Sequence, residues 1–326
     1  MTSSQDPISP SLKHFAKLPV DPRLVLLFPG QGSQKTGMGM EAYRASKAAR
    51  ETYAYADSIL GEEVSRVCFE APESELTRTA NAQPAILTTS VALFAAAIEN
   101  GALDQQPALL AGHSLGEYTA LVVAGAISFE DALGLVRERG RLMEETGKQT
   151  PGTMAAIVGL GEAEVREICA ACGAEPCNFN AATQIVVGGL PEAVERACAL
   201  AKERGGRGLP MNVGGAFHTS LMTAAADEFR RILAGVTVQD PAIPVMSNVT
   251  ARRMTVASEC LSDLAEQIRS PVLWHQSITG MQKSGVEKFT EVGPGRALIT
   301  MLKRDAPNAT LVSLDGSAVL ASPANV

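Results

Sequence analysis

The sequence predicts an α/β protein in which helices cover a largely parallel sheet. Three observations lead there. Short apolar runs alternate with longer helical stretches along most of the chain, the alternation that strand–helix units produce. Alanine and glycine are abundant while aromatics make up only 4%, which suits close helix packing and tight strand-to-helix turns better than an aromatic-rich sandwich. Residues 151–214 break the pattern and read β-α-β-β-α-β, a split βαβ order.

Taken in order, residues 1–22 carry Asp6, Pro7, Pro10, Asp21 and Pro22 and read as a loose leader. Residues 24–28 form a short apolar run stopped by Pro29-Gly30, a buried strand followed by a turn. Residues 84–98 read as a long apolar helix and 108–111 as a second buried strand. Residues 118–125 and 128–145 are helical. The second of these opens with Ser128 and Asp131 at capping-box spacing. Further strands fall at 243–246 and 288–292. The inserted module has strands at 153–160, 177–179, 184–188 and 208–212 and helices at 162–172 and 191–204. Gly147, Pro151-Gly152 and Gly214-Gly215 mark its ends. The expected organisation is a leader (1–22), a hydrolase-like catalytic domain (23–150 and 215–316), a ferredoxin-like subdomain (151–214) and a tail (317–326).

With 46% hydrophobic and 19% charged residues over 326 positions, the chain can bury a large core. Its net charge of −7 argues against a broad basic face, so no nucleic-acid partner is expected. The six cysteines include a Cys169-x-x-Cys172 pair without a second such pair. A structural zinc site needs about four ligands, so free thiols of a reducing compartment are expected and no metal. The most apolar stretches, 86–98 and 119–127, are shorter than the roughly 20 residues that cross a bilayer. No charged start leads into an apolar run. A soluble cytoplasmic protein without a membrane partner is the expectation.

Chemistry concentrates at Gly112-His113-Ser114-Leu115-Gly116, which follows a strand and opens a helix. This is the context of a nucleophile elbow. Glycine on both sides permits a turn that lifts the serine hydroxyl off the strand end toward free N–H groups at a helix start. A serine hydroxyl needs a base, and the chain has four histidines. His14 lies in the leader, His113 leaves the elbow in another direction, and His275 follows Trp274 at a helix start. His218, in Gly214-Gly215-Ala216-Phe217-His218, returns the chain to the main sheet and is the expected base. Arg139 falls on the apolar stripe of its helix, with Leu135, Val136, Leu142 and Met143 as its neighbours at i±3 and i±4. It either extends outward along its stem or meets a buried anion, and beside a serine it would form a fork for a substrate carboxylate. The turn Phe28-Pro29-Gly30-Gln31-Gly32-Ser33-Gln34 lacks both the third glycine of a dinucleotide fingerprint and the Gly-Lys-Ser/Thr of a phosphate loop. It fits a turn that presents the Gln31 N–H to the site.

These residues fall within a pattern. The chain resembles malonyl-CoA:acyl-carrier-protein transacylases of fatty-acid synthesis and the related acyltransferase domains of polyketide synthases over residues 23–313. The matching segments are FPGQGSQ (28–34), QPA (83–85), GHSLGEY (112–118), Arg139-Gly140-Arg141, NFN (178–180), AFH (216–218), Pro271-Val272-Leu273-Trp274 and EVGPG (291–295). The resemblance implies that Ser114 is acylated, that His218 is its base and that Arg139 pairs with the malonyl carboxylate. It implies backbone oxyanion donors at Gln31 and Leu115, and a backbone carbonyl, that of Gln267, orienting the histidine in place of an acid. Asn180 would line the acyl or pantetheine site, with Met143 and Phe217 also lining it. Phe217 is the malonyl-type residue before the histidine, and Gly214-Gly215 departs from the bulkier residues usual there. The implied enzyme is an [acyl-carrier-protein] S-malonyltransferase whose partners are malonyl-CoA and holo acyl carrier protein, with no cofactor of its own; a monomer is the expectation. Lys202, Arg204 and Arg207 are a candidate docking patch for an acidic carrier. The rival readings are a discrete polyketide-synthase acyltransferase, an editing acyl hydrolase and a silent carrier-docking module.

Overall fold

The computed structural model describes residues 6–320. Two sheets organise it. The larger has six strands in the order β10-β9-β1-β2-β7-β8: β1 (Val20–Phe28), β2 (Gln106–Gly112), β7 (Val245–Met246), β8 (Arg253–Met254), β9 (Lys288–Val292) and β10 (Thr310–Leu314). Every pairing in it is parallel except that of β7 with β8. The smaller sheet runs β4-β5-β3-β6, with β3 (Thr153–Val158), β4 (Glu175–Ala181), β5 (Gln184–Gly189) and β6 (Arg207–Pro210). All its pairings are antiparallel. With helices Glu162–Cys172 and Pro191–Glu203 between its strands, this is the ferredoxin-like arrangement. Phe179 N–H donates to the Val272 carbonyl at 2.9 Å and Val272 N–H to that of Cys177 at 2.8 Å. The small sheet is thereby tied to a loop beside the large one.

The central strands are apolar without alternation because both faces are covered; Val25 through Phe28 are wholly buried. Helix Thr79–Glu99 lies within the core. It is longer than the apolar run alone suggests because Pro84 sits in its second turn rather than at its start. By length and hydropathy it could cross a membrane, yet 94% of that window is buried inside the fold. Gly140, on helix Phe129–Gln149, lets the two helices close together: a Cβ there would lie 2.7 Å from the Thr79 carbonyl oxygen. The same helix starts at Ser128, whose Oγ accepts from Asp131 N–H at 3.0 Å, the cap expected.

The leader departs from expectation. Residues Ser9–Phe15 are helical and β1 begins at Val20. Pro10 falls in the first turn, where a missing N–H costs nothing. Ile8 and Phe15 are buried, and Phe15 meets the Phe94 ring edge-on at 5.1 Å. At the other end, residues 316–320 form a 3-10 turn, and the rest of the expected tail lies outside the described residues.

Candidate active site

The elbow is built by steric exclusion. A Cβ on Gly112 would lie 1.9 Å from the Gly116 carbonyl carbon, and one on Gly116 would lie 2.0 Å from the Phe28 carbonyl oxygen. Neither contact is possible for a real side chain, so β2 can turn into helix Gly116–Val123 against the end of β1 only with glycine at both places. Gly30 is similarly confined, its Cβ position 2.3 Å from the His113 carbonyl oxygen. The turn places Ser114 at φ +51°, a conformation costing about 1–3 kcal/mol outside glycine. His218 is held likewise at +61°. Such strain persists where the surroundings over-determine it. At Ser114 the restraint is Asn248, which follows β7: its Nδ2 donates to the Gly112 carbonyl and its Oδ1 accepts from Ser114 N–H, each at 2.7 Å.

Ser114 Oγ and His218 Nε2 are 2.8 Å apart, and His218 Nδ1 lies 2.8 Å from the Gln267 backbone carbonyl. A carbonyl only accepts, so Nδ1 carries the hydrogen and Nε2 presents its lone pair to the serine hydroxyl. Burial first, and the Arg139 charge second, push the His218 pKa down to about 3. The imidazole is therefore neutral, the state a general base requires.

Arg139 is 1% exposed. Its Nη1 donates to Gln83 Oε1 at 2.8 Å, and its Nη2 donates to Ser114 Oγ at 3.0 Å and to Gln267 Oε1 at 2.9 Å. Its Nε has no partner. Among the described residues no carboxylate stands within ion-pair distance of it. The guanidinium also lies 5.5 Å from the Tyr118 ring centre. A buried cation without a paired counter-ion is costly; the hydrogen-bond acceptors of this one are neutral oxygens, and Glu117 acts on it only through space.

A cleft of about 480 Å³ opens over these groups, bordered by Gln31, Ser114, Arg139, Met143, Asn180, Phe217 and His218. The small sheet contributes Met154, Asn178 and Val186 to its wall, and Ala297, Leu298 and Met301 close another side. The N–H groups of Gln31 and Leu115 find no acceptor among the described residues, while the flanking Ser114 and Gly116 N–H groups are both engaged. Asn180 Oδ1 lies 2.8 Å from His113 Nε2, which turns His113 away from the serine toward Trp274. His275 pairs with Asp305 at 2.9 Å and His14 is exposed. Cys169 and Cys172 are buried in the small-sheet core. Among the described residues no cluster of His, Cys, Asp or Glu could hold a metal ion.

Of the expected patch, Arg204 is engaged by Glu167 at 2.8 Å. Lys202 and Arg207 are exposed. Beyond β6 the chain supplies Met211 and Val213 to the cleft wall.

Four contributors were not read as site residues from sequence: Gln83, Glu117, Asn248 and the side chain of Gln267. Gln83 lies in the QPA segment and Asn248 just past a strand end, where functional loops gather. Glu117 lies in the GHSLGEY segment, on a helix that is buried throughout, but the segment does not show what its carboxyl meets.

A strained serine at a strand–helix elbow, a neutral histidine on it and free N–H groups beside it define a serine-nucleophile acyl-transfer site. The chain belongs to the acyl transferase domain family, whose model matches residues 25–314. It is 42% identical over 288 residues to a malonyl CoA-acyl carrier protein transacylase of Bacillus subtilis, covering 86% of this chain and 90% of that protein. It is 40% identical over 305 residues to the protein of the same name in Escherichia coli, covering 92% and 98%. Among solved structures it resembles an acyl carrier protein S-malonyltransferase from Vibrio cholerae with TM-score 0.86 and 38% identity, over 91% of this chain and 98% of that one. It is also similar to a malonyl-transacylase solved in complex with its type II PKS acyl-carrier protein, with TM-score 0.87 and 36% identity over 91% and 97%.

Proposed function

We propose that this enzyme transfers a malonyl group from malonyl-CoA to the phosphopantetheine thiol of an acyl carrier protein through an O-malonyl Ser114 intermediate. The observation that carries the reading is Arg139: a buried guanidinium without a carboxylate partner, 3.0 Å from Ser114 Oγ. An uncharged acyl group would give that cation nothing to pair with, whereas the free carboxylate of malonate would. The names of the relatives support the same substrate pair.

In the first half-reaction Ser114 Oγ attacks the thioester carbon as its proton passes to His218 Nε2. The Gln267 carbonyl steadies the resulting imidazolium through Nδ1. Charge developing on the thioester oxygen falls to the Gln31 and Leu115 N–H groups. The C–S bond then breaks and the departing CoA sulfur takes the proton from Nε2. In the second half-reaction the carrier thiol gives its proton to Nε2 and attacks the ester carbonyl, and Ser114 Oγ leaves with that proton. The enzyme works as a monomer, with no metal or cofactor of its own. Both fatty-acid and polyketide synthesis consume the product.

Intact-protein mass spectrometry after brief exposure to malonyl-CoA tests this. Malonylation that is absent in Ser114→Ala and much weaker with acetyl-CoA is the expected result. CoA release without any adduct would replace the transferase with a hydrolase. Neither adduct nor CoA release would leave only a carrier-binding role.

A further inference from the structure

The mechanism leaves one buried acidic group without a task. Glu117, three residues past the nucleophile, is wholly buried. Its Oε1 accepts from Asn248 N–H at 3.2 Å, and its Oε2 accepts from Gln267 Nε2 in a short contact. Asp263 stands beside it. Ser247 Oγ donates to Asp263 Oδ1, and Val249 N–H donates to the same oxygen at 3.3 Å. Asp263 Oδ2, by contrast, is buried with no other hydrogen-bond partner. Burial raises both acids above the usual carboxylate range, and the neighbouring Asp263 raises Glu117 further. Two such carboxyls are stable side by side when they share a proton.

The consequence lies in Gln267. Its backbone carbonyl holds His218, while its side chain spans the other groups: Nε2 donates to Glu117 Oε2 and to the Ser114 carbonyl at 3.0 Å, and Oε1 accepts from Arg139 Nη2. An amide can turn over end for end. Reversed, it would aim two N–H donors at the guanidinium, cation against donor. The two acceptors facing Nε2 forbid that orientation, and Glu117 is the one that comes from a side chain. We propose that Glu117, backed by Asp263, is a positioning residue that fixes the Gln267 side chain and through it the Arg139 guanidinium, and so sets selectivity for a carboxylated acyl group. The inference rests on the malonyl-transfer reading above.

Glu117→Gln tests it, because the change keeps the volume but puts an N–H₂ where an acceptor stood. Either the new amide or that of Gln267 must then turn a donor toward a donor. The readouts are Ser114 acylation rates with malonyl-CoA and acetyl-CoA, their separation into KM and kcat, and the melting temperature. The malonyl-to-acetyl ratio is expected to fall roughly 10- to 100-fold, the weight of one hydrogen bond to a charged group, chiefly through the malonyl-CoA KM. Glu117→Asp, which keeps an acceptor, should recover part of the ratio. A variant in which both acylations fall by one factor, or neither changes, overturns the proposal. If Glu117→Gln does not fold, Gln267→Leu removes the link while keeping the backbone carbonyl, and an unchanged ratio there overturns it equally. Absence of malonylation in the unaltered enzyme would instead defeat the functional reading itself.

Discussion

Replacing Arg139 separates carboxylate recognition from serine chemistry. Arg139→Ala removes three donated hydrogen bonds at 2.8–3.0 Å, one of them to the nucleophile. If a malonyl carboxylate pairs with the guanidinium inside this buried cleft, truncating one partner of that pair costs about 2–5 kcal/mol. At about 1.36 kcal/mol per tenfold, kcat/KM for malonyl-CoA falls roughly 30- to 5,000-fold. Acetyl-CoA has no carboxylate to lose. Its acylation changes only through the lost contact to Ser114 Oγ and the loosened Gln267, by up to roughly 100-fold for a hydrogen bond to a charged group, a loss that malonyl-CoA shares. Alanine also leaves a void, so Arg139→Met, which fills most of the volume, should give the same selectivity change with a smaller drop in melting temperature. Single-turnover acylation followed by intact mass measures both donors on one scale. A malonyl-to-acetyl ratio that stays within twofold of the unaltered enzyme would refute the assignment, whatever the absolute rates.

Three further outcomes follow from the geometry. Because burial and the Arg139 charge hold His218 neutral down to about 3 from an ordinary 6.5, acylation by acetyl-CoA should not lose rate as pH falls through 6.5. The unfolded chain binds this proton first, so the His218 contribution to stability is complete above 6.5 and is lost as pH falls from there toward 3; melting curves of His218→Ala against the unaltered protein should show that acid component disappear, and identical pH profiles would count against it. Asn248→Ala leaves the Gly112 carbonyl and Ser114 N–H unpaired in a buried turn, at about 1–3 kcal/mol for each group; a lower melting temperature and a lower kcat are expected, and a variant as stable and as fast as the parent would show that the elbow needs no staple. Lys202→Glu with Arg207→Glu should raise the apparent KM for an acyl carrier protein, most at low salt, and leave that for malonyl-CoA alone; an unchanged carrier KM would remove the patch from the docking surface.

Much of this site is legible in the chain because its constraints are local. The glycines around Ser114 and beside Gln31 are required by contacts of 1.9–2.3 Å that any Cβ would make, and such exclusions leave their mark as short motifs. Arg139 is legible for a related reason: a 3.6-residue period puts it on the buried stripe whatever lies opposite. The helix at Ser9–Phe15 was less so, since Pro7, Pro10 and the polar residues around them look like a loop until Ile8 and Phe15 find partners in the core. The small sheet was readable as a β-α-β-β-α-β order, while strand ends such as that of β6, at Pro210, are set by pairing with β3.

The rest depended on distance along the chain. Gln83 lies 56 residues from Arg139, Asn248 lies 134 from Ser114 and Gln267 lies 150 from Glu117, so no window of sequence contains these pairs. The sequence by itself determined Ser114, His218 and Arg139 as the candidate nucleophile, base and carboxylate-binding cation, because each needs a particular backbone or a particular face of a helix. Only the tertiary structure decided that the cation has no carboxylate partner and that a glutamine and two buried acids stand behind it, because a counter-charge or an amide acceptor is defined by what the folded chain brings within 3 Å.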